Sequence, residues 1–223
     1  SMVSYPALLA AGLSPVAANV TNTVAITASG VGSALGARPE LRGQADLLRR
    51  LGLACLAGGL LGGVLLLVTP AEAFENVVPG FIAGASVAVL ARPQAHPEAV
   101  RGRTGTAAQT GGIFLAAVYG GYFGAAAGVM MLAILSVTTS ATLARDIALK
   151  NVLLLLANLV AAAFFVVAAP VDWGSAVPLG TGFFVGGRLG PAVVRRAPAT
   201  PLRLFIALSG LVVAATLAVD TYA

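Results

Sequence analysis

The residues that could do chemistry in this chain are four glycines, one lysine and two polar pairs. Gly120, Gly121, Gly124 and Gly128 punctuate the apolar run TGGIFLAAVYGGYFGAAAGVMMLAILSV from Thr110 to Val137. Lys150 follows Asp146 at i,i+4, at the entry to the next apolar run. Asn22 with Ser29, and Asn151 with Asn158, are each spaced i,i+7, so each pair falls on one helix face. Thr21 stands beside the first pair. Together these types can hold a small anion. Glycine lets a ligand approach the backbone. The N-terminus of a broken helix offers free N–H groups and a partial positive charge. Lysine adds a full charge, and an ionisable group inside a membrane points to function by default. The amides and hydroxyls supply directed hydrogen bonds. Each group also has a plain structural use. Glycine serves close helix packing. Lys150 can pair with Asp146 or reach back to the interface. Polar faces can bond one helix to another. Asp146 is read as a first-turn acid at the positive helix end, and Asn19 as stabilising the start of its own helix. Tyr119 and Tyr122 flank the glycines and serve either packing or lining.

Other chemistries lack their parts. One His, in a loop between Pro93 and Pro97, and one Cys, inside an apolar run, cannot make a metal cluster or an intramolecular disulfide. There is no HExxH, no GxSxG and no P-loop. No enzyme activity, cofactor or metal is expected. The alternatives to an anion transporter are a non-transporting membrane scaffold and, further off, an intramembrane enzyme.

The elements that position these residues are membrane helices. The 223 residues are 58% hydrophobic and 9% charged, where a soluble domain carries about 25% charged residues. The apolar runs are continuous rather than alternating, which selects helices over a β-barrel. The fold class is all-α, a polytopic membrane protein. Spans are expected at about Pro15–Gly36 (with Ser14 as cap), Leu48–Val68, Phe74–Ala91, Asp146–Ala169, Gly174–Val194 and Arg203–Val219. Ser1–Gly12 is an apolar stub too short to span. Residues 92–105 form a polar linker between two halves, 1–91 and 106–223.

Loop charge sets the topology. Arg38, Arg42, Arg49 and Arg50 fill one loop, Arg92, Arg101 and Arg103 a second, and Arg195, Arg196 and Arg203 a third. Glu72 and Glu75, Asp172, and Asp220 mark the opposite ends. Basic loops face the cytoplasm, so the net charge of +5 reflects sidedness and no nucleic-acid partner is expected. Trp173 is an interface anchor. The run from Thr110 to Val137 would span roughly 42 Å as one helix, against a hydrocarbon core of ~30 Å. It starts near Arg103, and the next span starts near Arg145. Loop charge therefore has it enter and leave on the cytoplasmic side, as a re-entrant hairpin broken at its glycines; the alternative is a single crossing, which would put the arginine-rich third loop outside. Such breaks are tolerated where the backbone is buried in protein or lines a cavity.

The halves correspond. When Thr21-Asn22 falls on Lys150-Asn151, Ser29 falls on Asn158, and the GGLLGG of one span answers GTGFFVGG in another. Three spans per half is odd, so the copies are inverted, as their loop charges also require. Inverted repeats with discontinuous helices predict alternating access around a midplane site, here between Gly120–Gly128, the Asn151 face and the Asn22 face.

The stretches VSYPALLAAGLSPVAANVTNTVA, GGYFGAAAGVMMLAIL and LARDIALKNVLLLLAN, in their order and spacing, resemble the sulfite exporter TauE/SafE (TSUP) family over nearly the whole chain. Two features depart from its pattern. The glycine-rich segment that should precede Ser1 is missing, as in an N-terminally truncated chain, and Ala125 to Ala127 stand where members often carry more glycine. The resemblance implies movement of small anions, notably sulfite, sulfonates and related organosulfur or carboxylate compounds, across the cell membrane, with coupling to protons. The lipid bilayer is the other partner. A homodimer is compatible with the sequence, though no motif demands it.

Overall fold

The computed structural model describes residues 3–74, 76, 80, 83, 103–124, 127–139, 141–194, 208, 212 and 215. Among these every regular element is an α-helix. α1 is Ser4–Ala10, α2 Pro15–Gly36, α3 Arg38–Leu41, α4 Ala45–Val68, α5 Arg103–Tyr122, α6 Ala127–Thr138, α7 Leu143–Ala168 and α8 Trp173–Val194. α2 starts as the sequence dictates. Ser14 Oγ accepts from the Ala17 N–H at 3.4 Å, and Pro15 takes the first position, where no intrahelical N–H is needed. α4 and α7 are long and apolar enough to cross a membrane by length and composition, over Ala45–Val68 and Ala144–Ala168. Most of the spans expected at 74–91 and 203–219, and linker residues 92–102, lie outside the described residues. Arg103 to Gly105, expected as the end of the linker, belong to α5.

Two packing layers hold the bundle. α4 lies between α5 and α7, and α2 lies between α7 and α8. Glycine sets how closely these helices approach. In GGLLGG, Gly58 and Gly62 share one face, and a Cβ there would come 2.6 Å from the Phe114 carbonyl oxygen and 2.0 Å from that of Val118 on α5. Gly59 and Gly63 share the next face, toward α7, where a Cβ on Gly59 would meet the Ala157 carbonyl at 2.3 Å. Leu60 and Leu61 point outward and are exposed. The paired glycines thus serve two neighbours at once, with backbone against backbone on both. On α8, Gly187 would meet the Ser29 carbonyl at 2.4 Å, and Gly32 of α2 would meet that of Phe184 at 2.6 Å. Along α4, Gly58 and Gly62 meet Phe114 and Val118 in turn, and Gly59 and Gly63 meet Ala157 and then Ala161 and Phe165; between α2 and α8, Gly180 lies by Ala25 and Gly36 by Arg188, so α4 runs parallel to α5 and α7, and α2 parallel to α8.

The run from Thr110 to Val137 is two helices, not one. α5 ends at Tyr122. Gly124 adopts φ +81°, a left-handed conformation that glycine takes without penalty, and α6 starts at Ala127. The arms fold back on each other. Gly112 faces Ile134, Gly120 faces Ala127, and Gln109 Nε2 donates to Thr138 Oγ1 at 2.7 Å. The open ends therefore sit together. Arg50 of α4 donates to Gln109 Oε1 at the same place, so they lie at the arginine-bearing end of α4.

The glycine faces give a stability prediction. Gly62→Ala and Gly59→Ala force a methyl group into backbone and should each cost at least about 2 kcal/mol. A Cβ at Gly182 or Gly186 meets nothing within 4 Å, so alanine there should cost nothing and, through helix propensity, gain up to about 1 kcal/mol. Unfolding of the purified variants in detergent measures this; equal losses at both kinds of position would refute the backbone-contact account.

Candidate functional site

α2 and α7 cross near Gly30, where a Cβ would lie 2.8 Å from Leu155. Beside the crossing is a cavity of about 180 Å³. α2 lines it with Ile26, Ser29, Gly30 and Ser33, and α7 with Lys150, Asn151, Leu154, Leu155 and Asn158. Four residues expected to form a site thus meet in one space: Ser29, Lys150, Asn151 and Asn158. Ser33 and Gly30 were not among the expected residues. Both lie on the Ser29–Ile26 face, and helical spacing would have found Ser33.

Among the described residues, Lys150 is the only charged group on the cavity wall. The i,i+4 pair with Asp146 does not form. Asp146 is 2% exposed and accepts instead from Thr139 Oγ1 at 2.7 Å, across the α6–α7 connection. No carboxylate among the described residues pairs with Lys150. Its chain reaches toward the first turn of α6, because a Cβ on Gly128 would lie 3.5 Å from Lys150 Cδ and 3.7 Å from Nζ. The ammonium therefore sits beside a helix N-terminus, and both present positive charge. A methyl group at position 128 would touch the lysine chain at ordinary van der Waals distance.

The remaining glycines separate by role. Gly120 packs near Ala127 and Leu154, Gly121 would meet the Gly59 carbonyl of α4 at 2.3 Å, and Gly124 makes the left-handed turn. Of the four, only Gly128 borders Lys150.

Thr21 and Asn22 are engaged elsewhere. Thr21 Oγ1 accepts from the Asp172 N–H at 3.0 Å, and so ties α2 to the turn that opens α8. Asn22 Oδ1 accepts from Ser4 Oγ at 2.5 Å, which holds α1 on α2. Asn19 has a role its position in the sequence did not reveal. Its Nδ2 donates to the Tyr122 carbonyl, the last of α5, at 2.8 Å. It thereby satisfies one of the carbonyls that the break releases. Tyr5 of α1 meets Phe123 edge to face with ring centroids 5.5 Å apart, and Phe74 meets both Tyr122 and Phe123 at 5.7 and 6.0 Å. An aromatic wall thus closes the α5 side of the break. Cys55 is buried against α5 and α7, as a packing thiol.

The family description Sulfite exporter TauE/SafE matches residues 1–217 of the chain. No curated protein and no solved structure matches it.

Asp172 provides a test of the α7–α8 turn. Its Oδ2 accepts from the Ser175 N–H at 2.9 Å, and the bonds from Ser175 hold its carboxyl below the ordinary carboxylate range. A carboxyl held low stabilises the fold above its unfolded pKa, and loses that contribution as pH falls through the folded value. Asp172→Ala should therefore melt earlier than the natural protein near neutral pH, with the gap closing in acid. Thr21→Val should also melt earlier, with a loss that does not depend on pH. Melting curves across pH decide it; a constant gap for Asp172→Ala would remove the carboxylate cap.

Proposed function

Because the chain belongs to the sulfite exporter TauE/SafE family, a family of membrane transporters, we propose that it is a secondary transporter. It carries small anions, sulfite or a sulfonate or a related organosulfur or carboxylate compound, across the cytoplasmic membrane by alternating access. The observation that supports this most is the Lys150 cavity. A lysine with no carboxylate partner among the described residues, two asparagines and two serines converge on a space sized for a small ion. The first turn of α6 adds its N–H groups and partial charge next to the ammonium. An oxyanion would take a charge-assisted bond from Lys150 and directed bonds from Asn151, Asn158 and Ser29. Wide solvation is not needed, because the site supplies donors at fixed positions.

Two further observations fit alternating access. The shift that carries Gly59 onto Gly187 also carries Ala157 back onto Ser29, and both glycines press on the other residue's carbonyl. Such an exchange is what an inverted repeat requires, with α2 matching α7 and α4 matching α8. The helix directions also agree with the sidedness read from loop charge. The open ends of the α5–α6 hairpin lie by Arg50, and Thr21 lies by Asp172.

Transport of radiolabelled sulfite and of a sulfonate into proteoliposomes tests the reading. Lys150→Ala and Asn158→Ala should each lower transport about tenfold or more, with folding intact, and Lys150→Arg should restore part of it. Transport unaffected by Lys150→Ala would return this lysine to a structural role, and failure to move any such anion would remove the substrate class. In a Cys55→Ala background, single cysteines at Thr106 and Thr139 should label from the same side of the membrane. Labelling from opposite sides would mean that α5 and α6 cross as one span.

A further inference from the structure

The break between α5 and α6 has two electrical ends. The N-terminus of α6 faces Lys150. The C-terminus of α5, which carries partial negative charge on its last carbonyls, faces Asn19 of α2. Asn19 is 1% exposed. Its amide orientation is fixed, because reversing it would set Oδ1 against the Tyr122 carbonyl that Nδ2 now meets at 2.8 Å. The oxygen at the other corner of that amide is buried at the same helix end and finds no donor among the described residues.

An acceptor without a donor, beside a helix end that also offers only acceptors, calls for a positively charged or strongly donating guest. Its surroundings are apolar and aromatic, with Tyr5, Ala18, Val20 and Phe123 in one buried cluster. The polar side chains here are neutral: Ser4 donates to Asn22 Oδ1, Thr23 donates to the Asn19 backbone carbonyl, and the Tyr5 hydroxyl is buried in the same cluster. Neutral oxygens alone do not match a divalent ion, which takes carboxylates. They match a monovalent ion, and carbonyls at a broken helix C-terminus are a suitable cradle for sodium.

We propose that Asn19 Oδ1 and the terminal carbonyls of α5 form a binding site for a monovalent cation, sodium, on the opposite side of the break from the Lys150 cavity. Cation and anion would then engage the two sides of one break, and each would favour the arrangement of the break that the other binds. That coupling rests on the anion reading; the cation site itself does not.

The test uses the purified full chain in detergent, with no sulfite present. Melting temperature is followed against NaCl, with KCl and choline chloride holding ionic strength constant, and binding of radioactive sodium is measured directly. A saturable, sodium-specific rise is expected. Asn19→Ala should weaken apparent sodium affinity by about tenfold or more, equivalent to losing one good ligand. Lys150→Ala should retain the sodium response while losing sulfite binding, so failure of the anion site and failure of the cation site give different patterns. The proposal is overturned if the natural protein responds alike to the three salts, as it would if a water met Asn19. It is also overturned if Asn19→Ala keeps the full response. Should Asn19→Ala not fold, the natural protein's response to the three salts and its direct binding of radioactive sodium still decide it.

Discussion

A helix that stops inside an apolar bundle leaves carbonyls and N–H groups without their usual partners, and the rest of this structure is arranged around one such stop. Leaving a buried polar group unmet costs about 1–3 kcal/mol. At the end of α5 the cost is reduced by Asn19, which reaches across from α2 to the Tyr122 carbonyl. Tyr5, Phe74 and Phe123 seal the same end with aromatic surface. At the start of α6 no side chain larger than glycine stands at Gly128, and Lys150 approaches. One end of the break is thus met by Asn19 and aromatic surface, and at the other stands Lys150, which also lines the cavity between α2 and α7. The proposed function follows from that asymmetry.

The glycine faces make the arrangement possible. With Gly58, Gly59, Gly62 and Gly63 on two faces of α4, both α5 and α7 pack at backbone distance. This brings the hairpin close enough to α7 for Gly128 to border Lys150. In membranes small residues give van der Waals contact where the hydrophobic effect between helices is absent. α2 and α8 repeat the device at Gly32 and Gly187.

Much of this was legible in the sequence. α2 begins and ends where expected, and α8 begins within a residue of its expected start, since Ser14-Pro15 is a local signal and the apolar runs have sharp limits. α4 and α7 start about one turn earlier than expected, because polar first turns such as Ala45–Leu47 and Leu143–Arg145 continue a helix past the apolar limit. The broken run was legible as an excess of length and glycine. The site was legible in part. Spacing identified the face that carries Asn151 and Asn158, and that face does line the cavity. Spacing cannot say which neighbour a face meets, however. Asn22 and Ser29 share a helix, yet one bonds α1 and the other lines the cavity. Thr21 is spent on the turn at Asp172. Gly121 packs on Gly59, whereas Gly128 borders the lysine, and nothing local in the sequence separates the two. Asn19 was read as a local stabiliser, and its real partner lies far along the chain, at Tyr122.

The backbone contacts along α4 also govern how the molecule can deform. An interface lined with side chains can absorb a rotation by changing rotamers. Where Gly62 meets Val118 and Gly59 meets Ala157, there are no rotamers to change. Two such surfaces either stay locked or slide as rigid bodies, in steps that bring the next small residue into register. With small residues repeating at every turn from Gly58 to Gly62 and from Gly59 to Gly63, α4 has the geometry of a rail: stiff against bending or twisting relative to its neighbours, and graduated along its length.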